Sequence, residues 1–364
     1  MANESPSLLF YCRPGFEKDC AAEIMARSSA ESLPGYVRAR HGDGWLQFHG
    51  ADSGVVEELS DGLDLRDLVF PRQWLLASAE PIPLPRRDRV QPVLEALENA
   101  GRIGPYAALC LDHPDTNCGK QVSALTRRLR KPLEKGLASA GISSNATSAP
   151  RRLHLFFSDF DQVFPAEGLV GRSSPEANGI LRLRQSRGAP SRSGLKLDEA
   201  IRLMLPSDVQ DTLLRPAAMA VDLGAAPGGW SWQLVRRHIR VTAVDNGPIQ
   251  PELLDSGLVE HRREDGFRYR PPSPVDLLVC DMVERPVRVS DLVAHWLAQG
   301  WCRAVIFNLK LPMKQRHQTV RDCLARLPTG PAWHTVCRHL YHDRDEVTVA
   351  VFPAGATLRE ATLG

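Results

Sequence analysis

The sequence has no apolar run approaching the ~18 residues of a membrane-spanning helix, and no leader-like segment opens it. Its eight cysteines include no Cys-x-x-Cys pair and no Cys/His group at the spacing of a zinc site. In a chain of 364 residues, scattered cysteines are typical of reduced, buried thiols. These absences predict a cytoplasmic protein without a membrane segment or a metal site, with a monomer as the default expectation.

The chain also has little net charge, because 45 Lys and Arg are balanced by 43 Asp and Glu, which leaves +2. Basic residues are nevertheless concentrated in two segments. Residues 120–152 hold eight Lys and Arg and one acid, and residues 172–196 hold six and one. A solvated helix face with a charged linker and a nucleic-acid-binding surface explain this pattern equally well. The candidate nucleic-acid contacts are Lys120, Arg127, Arg128, Arg130, Lys131, Arg182, Arg184, Arg187 and Arg192.

A turn rich in glycine follows a strand-like segment at residues 221–230, but it lacks the dinucleotide fingerprint. The glycine that the fingerprint places two positions after its first glycine, where the pyrophosphate approaches the backbone, is alanine here. This departure disfavours a dehydrogenase. A strand followed by such a turn and a helix still indicates a nucleoside-like ligand without a phosphate bridge, and S-adenosylmethionine (SAM) is the leading candidate.

Four segments differ in composition. Residues 1–72 and 73–166 each read as a small α+β domain, with strands interleaved with helices. Residues 167–195 are rich in glycine, proline and arginine and are typical of a linker or a loop over a site. In residues 196–364, strands and helices alternate, which predicts a doubly wound, mostly parallel sheet. The strand near residues 347–352 is predicted to be its antiparallel edge.

Acidic residues mark the carboxyl ends of successive strands in this last segment: Asp222, Asp245, Asp265 and Asp281. That edge of an open α/β sheet lines the ligand crevice. A single such acid is more often a helix cap or turn residue, but four in succession favour a site. Asp245 lies 17 residues after Gly228, near the offset at which an acid binds ribose hydroxyls.

Lys310 follows the buried-strand pattern of residues 304–309. Burial lowers the pKa of a lysine, which can then accept a proton; the alternative is a lysine whose ammonium simply reaches solvent from the sheet edge. Lys196 precedes the first strand and Glu346 begins the last, so a doubly wound sheet brings both to the crevice beside Asp281. Two cations and two anions around one pocket suit removal of a proton from a hydroxyl beside a sulfonium.

At this point a resemblance becomes specific. It is carried by DLGAAPGGW at 222–230, REDGF at 263–267, VCDMVE at 279–284, FNLKLPMK at 307–314 and LYHDRDEVTV at 340–349. These segments resemble the bacterial ribosomal RNA large subunit methyltransferase M family, which belongs to the SAM-dependent RNA ribose 2′-O-methyltransferases with a Lys-Asp-Lys-Glu tetrad. The similarity runs nearly end to end and is densest over residues 191–352.

The resemblance implies a fold and an activity. The last domain would be a Rossmann-like class I methyltransferase, residues 1–72 a ferredoxin-like domain and residues 73–166 a THUMP-type RNA-binding domain. The product would be a cytidine of 23S rRNA, in the peptidyl-transferase region, methylated on its ribose 2′-hydroxyl. Lys310 would accept the proton, with Lys196, Asp281 and Glu346 completing the tetrad. The SAM-binding residues would be Ser193, Ala226, Pro227, Gly228, Gly229, Asp245, Asp265 and Asp281.

Two other functions remain open on the residues alone. A base methyltransferase acting on an exocyclic amine would be expected to carry Asn/Asp-Pro-Pro-aromatic after the fourth strand, where this chain has residues 281–284. A carbon-5 pyrimidine enzyme needs a cysteine nucleophile in the crevice, and Cys280 is expected to point away from it. The other alternative is a non-catalytic RNA-binding protein that retains the fold.

Overall fold

The computed structural model describes residues 6–355, so residues 1–5 and 356–364 of the predicted first and last domains lie outside the described part. The chain forms two compact units, divided between Leu181 and Arg182. Within the described part, none of the helices combines the length and the apolar character needed to cross a bilayer.

The first unit is built on one eight-stranded sheet covered by helices. Its strands are β1 (Pro6–Tyr11), β2 (Gly35–Ala39), β3 (Trp45–Gly50), β4 (Gln73–Ser78), β5 (Ile82–Pro83), β6 (Leu109–Asp112), β7 (Arg151–Asp159) and β8 (Gln162–Leu169). Its helices are α1 (Glu17–Ala30), α2 (Ser53–Gly62), α3 (Gln91–Asn99) and α4 (Asn117–Ser139). The strand order is β2-β3-β1-β4-β8-β7-β6, with β5 paired to β8.

Strand β4 joins the two halves of this sheet. It pairs antiparallel with β1 over its full length and with β8 at Leu76 and Ala77. The order β1-α1-β2-β3-α2-β4 is therefore a βαββαβ unit, and the predicted boundary between residues 72 and 73 falls directly before its last strand. The predicted linker at 167–195 likewise begins inside β8. Local sequence patterns predict where strands lie. The boundary of a structural unit depends instead on which distant strands pair with each other.

The second unit contains a seven-stranded sheet. Its strands are β9 (Met219–Leu223), β10 (Arg240–Val244), β11 (Val259–Arg262), β12 (Val275–Cys280), β13 (Cys302–Lys310), β14 (Trp333–Arg338) and β15 (Glu346–Pro353). Its helices are α5 (Gly194–Met204), α6 (Ser207–Leu213), α7 (Gly229–Val235), α8 (Pro251–Leu254), α9 (Pro286–Ala298) and α10 (Arg316–Leu324). The strand order is β11-β10-β9-β12-β13-β15-β14, and the chain reverses its direction of travel across the sheet after β11.

Strands β9 to β13 are parallel, and β15 runs antiparallel to β13, as the sequence predicts. The prediction that this antiparallel strand forms the edge is wrong, because β14 pairs with its other side. All eight residues of β15 are buried, as expected of an internal strand, which explains why its polar and apolar residues alternate weakly. Most residues of β14 are partly buried or exposed. Its short sequence mixes polar and apolar residues without a regular pattern, so the strand was not predicted.

This topology places the functional residues at one edge of the sheet. The carboxyl ends of β9, β10, β12 and β13 meet there, as in other open α/β sheets. Because β15 is antiparallel, its first residue, Glu346, lies at that same edge, directly opposite Lys310 at the end of β13. Helix α5 packs against α7, β14 and β15 and brings Lys196 to the same edge.

Candidate active site

Four charged side chains form a closed ring at this edge. Lys196 Nζ lies 3.1 Å from Asp281 Oδ2 and 2.6 Å from Glu346 Oε1. Lys310 Nζ contacts the other two oxygens, Asp281 Oδ1 and Glu346 Oε2. Each carboxylate thus bridges both lysines, and charges of opposite sign alternate around the ring. The structure therefore brings together all four side chains that the sequence places around one pocket.

The ring is largely buried, with unequal access to solvent. The side chain of Glu346 is 7% exposed, Lys196 13%, Asp281 14% and Lys310 24%. In so restricted an environment each charge depends on its partners, because a lone buried charge is costly. Lys310 is the most accessible member, which makes it the one that a substrate hydroxyl reaches most easily.

The pKa of Lys310 runs against the prediction from burial alone. Burial lowers the pKa, as expected, but the carboxylates of Asp281 and Glu346 raise it by more, and the net shift is upward. For Glu346, burial raises the pKa, but Lys310 and Lys196 lower it by more. The net shift is downward, so the carboxylate stays charged. Lys310 therefore carries its proton in the isolated ring, and the expectation of a lowered pKa, which considered burial alone, is wrong.

The glycine turn lies beside the ring, between β9 and α7. Gly224 and Gly228 have φ values of 78° and 113°, in the left-handed region that favours glycine. A Cβ at Gly228 would lie 2.3 Å from Leu253 Cδ1, and one at Gly229 would lie 2.5 Å from Ser193 Oγ. The turn thus leaves no room for side chains at Gly228 and Gly229, which are packed against Leu253 and Ser193. Ala226 is partly buried and Pro227 exposed.

Asp245 borders this turn, and Asp265 lies in the segment that follows β11. The Asp245 carboxylate accepts hydrogen bonds from the backbone N–H groups of Ala226 (3.0 Å) and Gly247 (2.7 Å), one on each oxygen. Asp265 accepts one from Phe267 N (2.9 Å) and is half exposed. A carboxylate oxygen has further lone pairs after one such bond. Both acids can therefore also accept hydrogen bonds from the hydroxyl groups of a ligand.

Ser193 lies at the same turn, although no local pattern in the sequence marked it. Its hydroxyl is 2.6 Å from Ser191 Oγ, and its carbonyl accepts a hydrogen bond from Trp230 Nε1 at 3.0 Å. Because it caps α5, the helix of Lys196, it connects the glycine turn with the charged ring. Only the resemblance to a family identified this residue.

Two neighbouring residues are enclosed and do not line the crevice. The expectation that Asp222 lines it is wrong: the residue lies inside β9, is fully buried and accepts a hydrogen bond from Ser231 Oγ at 2.7 Å. Burial raises the pKa of Asp222 to about 7. Cys280 is fully buried, as its place in the strand predicts, and burial raises the pKa of its thiol to about 12. Such a thiol is a poor nucleophile.

A cavity of about 750 Å³ opens next to Lys310, between the segment after β12 and the segment after β13. Its wall includes Arg285, Arg288, Leu311 and Pro312 as well as Lys310. Arg288 also stacks over the ring of Phe267, with 4.0 Å between guanidinium and ring centre. The volume is sufficient for a nucleotide-sized ligand, and the wall combines apolar surface with cations and with the carboxylates of Glu284 and Asp291.

The candidate nucleic-acid contacts are exposed but divided between the two units. Lys120, Arg127, Arg128, Arg130 and Lys131 lie on α4 of the first unit. Val122, Leu133 and Leu137 bury the opposite face of that helix, so its basic side faces solvent. Arg182, Arg184, Arg187 and Arg192 belong to the second unit and precede α5. Arg182 lies over the ring of Tyr341 at 5.3 Å.

Sequence reasoning missed the polar residues behind the ring. Asn308 Nδ2 donates to Asp281 Oδ1 at 3.1 Å, and Thr348 Oγ1 donates to Asn308 Oδ1 at 2.8 Å. Both residues are fully buried. A signal was present, because Asn308 precedes Lys310 by two residues and Thr348 follows Glu346 by two, which puts each pair on one face of its strand.

Comparison with known proteins identifies the families that the chain resembles. Three family models match successive parts of the chain: the RlmM ferredoxin-like domain at residues 5–75, the N-terminal domain of ribosomal RNA large subunit methyltransferase M at 88–170, and the FtsJ-like methyltransferase at 189–307. TrmN from Thermus thermophilus, a solved structure, aligns over 96% of this chain and 100% of its own at 14% identity, with a TM-score of 0.34 that supports no further argument.

Two curated relatives align almost end to end. The ribosomal RNA large subunit methyltransferase M of Methylococcus capsulatus is 47% identical over 347 residues, which cover 94% of this chain and 97% of the relative. The enzyme of the same name from Xanthomonas oryzae pv. oryzae is 44% identical over 346 residues, 94% and 98% of the two chains. With this similarity, the chain belongs to the ribosomal RNA large subunit methyltransferase M family and is an rRNA methyltransferase.

Proposed function

We propose that the enzyme transfers a methyl group from SAM to the ribose 2′-hydroxyl of a cytidine in 23S rRNA, with Lys310 as the proton acceptor. The observation that carries the proposal is the closed ring of Lys196, Asp281, Lys310 and Glu346, whose most exposed member lines a nucleotide-sized cavity. Transfer to a hydroxyl needs a proton acceptor at the oxygen, and the position of Lys310 in the cavity wall supports that role.

The residues around the glycine turn fit SAM. Asp245 and Asp265 have acceptor capacity for the hydroxyl and amine groups of a nucleoside, and the turn itself has no side chains at Gly228 and Gly229. Asp281 is an anion between this turn and Lys310. When bound, SAM supplies a methyl group activated by a sulfonium. We propose that Ser193 and the Ala226–Gly229 turn complete this site.

The ring residues have separate tasks in this mechanism. Lys310 must be neutral to take the proton from the 2′-hydroxyl, so loss of its own proton precedes the step. Asp281 and Glu346 then hold its amine beside the oxygen and stabilise the ammonium that forms. Lys196 keeps its contacts with both carboxylates throughout, so they stay charged and in place. Proton transfer and positioning, without a covalent intermediate on the protein, account for the reaction.

The buried Cys280 disfavours methylation at carbon 5 of a pyrimidine, because that chemistry uses a cysteine nucleophile in the crevice. The proposed partner is 23S rRNA, as free precursor or within a partly assembled subunit. Exposed cations on α4 and in residues 182–192 would bind its phosphates. The proposal of a cytidine target rests on the family resemblance, and the proposal of these contacts rests on the positive charge of the side chains.

The test is in vitro methylation of 23S rRNA fragments, with the methyl group located by nuclease digestion and mass spectrometry. A methyl on the cytidine ribose is expected with the wild-type protein and none with Lys310→Ala or Lys310→Arg, since arginine keeps its proton. Both variants should still bind SAM in calorimetry. A methyl on the base contradicts the ribose assignment, and wild-type activity of Lys310→Ala contradicts the role of the lysine.

A further inference from the structure

Three buried polar side chains extend from the back of the ring into the sheet. Asn308 and Thr348 are opposite each other in β13 and β15, one step further from the edge than Lys310 and Glu346. Asp343, in the turn before β15, lies with its two carboxyl oxygens 3.1 and 3.0 Å from Thr348 Oγ1. Asn308, Thr348 and Asp343 are all 0% exposed, so their hydrogen bonds are made within the protein.

The direction of each hydrogen bond follows from what each group can donate. The Asp281 carboxylate only accepts, so Asn308 must turn its Nδ2 toward it and its Oδ1 toward Thr348. Thr348 has one hydroxyl proton, which it donates to Asn308 Oδ1. Its oxygen can then only accept from Asp343. Both contacts of Thr348 are satisfied together when Asp343 carries a proton and is the first donor of this hydrogen-bond series.

The surroundings of Asp343 favour this protonated form. Burial raises the pKa of Asp343 well above its usual range, and the nearby charge of Glu346 adds to the effect. The Leu340 backbone N–H, which donates to Asp343 Oδ2 at 3.0 Å, and the charge of Lys196 act in the opposite direction, while Glu199 on α5 raises the pKa further. The net shift of the pKa is upward, which favours the neutral carboxyl group that can donate to Thr348.

This series of hydrogen bonds ends at Asp281 Oδ1. Asn308 donates to Asp281 Oδ1, the oxygen that also contacts Lys310, whereas Lys196 is closer to Oδ2. When Lys310 is neutral, it attracts this carboxylate less. The amide of Asn308 has no charge to lose and keeps Oδ1 in place during that interval.

We propose that Asn308 is a positioning residue for methyl transfer, oriented by Thr348 and a neutral Asp343, which together hold Asp281 toward Lys310. This inference rests on the proposed role of Lys310. It adds three residues to the machinery behind the ring, none of which touches the substrate.

The central experiment compares Thr348→Val with Thr348→Ser in single-turnover methyl transfer. Valine has the shape of threonine without the hydroxyl, so Asn308 loses its orienting donor, and we expect kcat to fall by roughly 30- to 100-fold. Serine keeps the hydroxyl and should restore most of the rate. KM for RNA and the affinity for SAM should change less than about twofold, because neither ligand touches this chain of residues. Thr335→Val, an exposed threonine on β14, is the matched control.

A second comparison tests the proton on Asp343. In Asp343→Asn an amide can donate to Thr348 while its oxygen accepts from Leu340, so near-normal kcat is expected. At neutral pH, the infrared spectrum of the wild type should show a protonated carboxyl band that disappears in Asp343→Asn. A loss of rate in Asp343→Asn equal to that of Thr348→Val, or no such band, contradicts the neutral donor.

The pH profile separates positioning from stability. Asn308→Asp places a second carboxyl group against Asp281 and should move the rise of kcat with pH to higher pH, as extra negative charge stabilises the ammonium of Lys310. A purely structural role predicts lower melting temperatures with unchanged kcat and pH profile, which would overturn the inference.

If Lys310→Ala is active, the proposed function fails. If Lys310→Ala is inactive and Thr348→Val is normal, only this inference fails.

Discussion

Lys310 and Glu346 occupy directly opposed positions in neighbouring antiparallel strands, and Lys310 also lines the cavity. Backbone pairing thus holds the Cα atoms of the cation and the anion opposite each other, whatever their side-chain conformations. Asp281, at the end of the adjoining strand, and Lys196, from α5, then close the ring. The site is therefore as rigid as the sheet that carries it.

Methyl transfer should accelerate with pH. Because Asp281 and Glu346 raise the pKa of Lys310 above its ordinary value despite burial, the neutral amine is a small fraction near pH 7. That fraction grows about tenfold per pH unit below the pKa, so the single-turnover rate should rise with a slope near 1 between about pH 6.5 and 9. A flat profile measured under conditions that saturate both substrates would contradict proton acceptance by Lys310.

Breaking one ion pair of the ring should cost more stability than removing a cation and an anion together. Glu346→Gln leaves two lysines with one carboxylate in a largely buried site, and we expect a loss of ~3 kcal/mol in the free energy of unfolding. Adding Lys196→Met restores the charge balance and should recover part of that loss. Urea denaturation measures both. The exposed pair Arg262–Glu260, with side chains 50% and 60% exposed, is the control, and Glu260→Gln should cost under ~1 kcal/mol.

The first unit should lose stability in mild alkali through a buried ion pair. His154 Nδ1 lies 2.7 Å from Asp112 Oδ2, and both side chains are 1% exposed. Burial lowers the pKa of His154, but Asp112 raises it by more, to about 9 against an ordinary value of 6.5. A raised pKa gives stability that is complete below pH 6.5, declines above it and is lost beyond about pH 9.

The expected loss for this pair is ~3 kcal/mol between pH 6.5 and 9.5, since each tenfold gain in the proton affinity of the folded state corresponds to ~1.4 kcal/mol. It should appear as a falling melting temperature of the first unit in calorimetry of the full chain. His154→Gln, which cannot carry the charge, should have a smaller pH dependence over this range. Equal pH dependence of variant and wild type would show that the pair does not titrate as described.

Binding of the substrate RNA should depend on the residues of the cavity wall, whereas binding of SAM should not. Arg285 is exposed and lines the cavity beside Lys310. Arg285→Glu places an anion where a phosphate-bearing substrate enters, so KM for RNA should rise at least about tenfold and the salt dependence of binding should weaken. SAM affinity by calorimetry should be unchanged. Arg321→Glu, on the exposed face of α10, is the matched control, and an equal rise in KM there would indicate a general charge effect.

The sequence was most informative where one strand or turn carried the signal. The glycine turn, the acids after β10 and β12, and Lys310 at the end of β13 could all be located from local patterns, because their neighbours along the chain create their environment. The last strand was also predicted, and so was its antiparallel direction. Its internal position depends on β14, a strand whose residues form no clear apolar pattern.

Distances between residues far apart in the sequence could not be predicted. The sequence predicts that Asp281 and Glu346 share a pocket with Lys310, but no local rule gives their distances, so the upward shift of the Lys310 pKa could not be predicted. The pairing of β1 with β4 across the predicted boundary is equally remote in sequence. Asn308 lay inside a recognised motif, yet its importance appears only when Thr348 and Asp343 are seen beside it.

The buried strand β15 also makes the ring dependent on complete folding. Glu346 begins a strand that must insert between β13 and β14, whereas the glycine turn needs only the strands and helices formed from earlier residues. Without this strand the ring lacks one of its two anions, and Lys310 lacks its partner residue in the neighbouring strand. Catalytic competence is thus coupled to the pairing of β15 with β13.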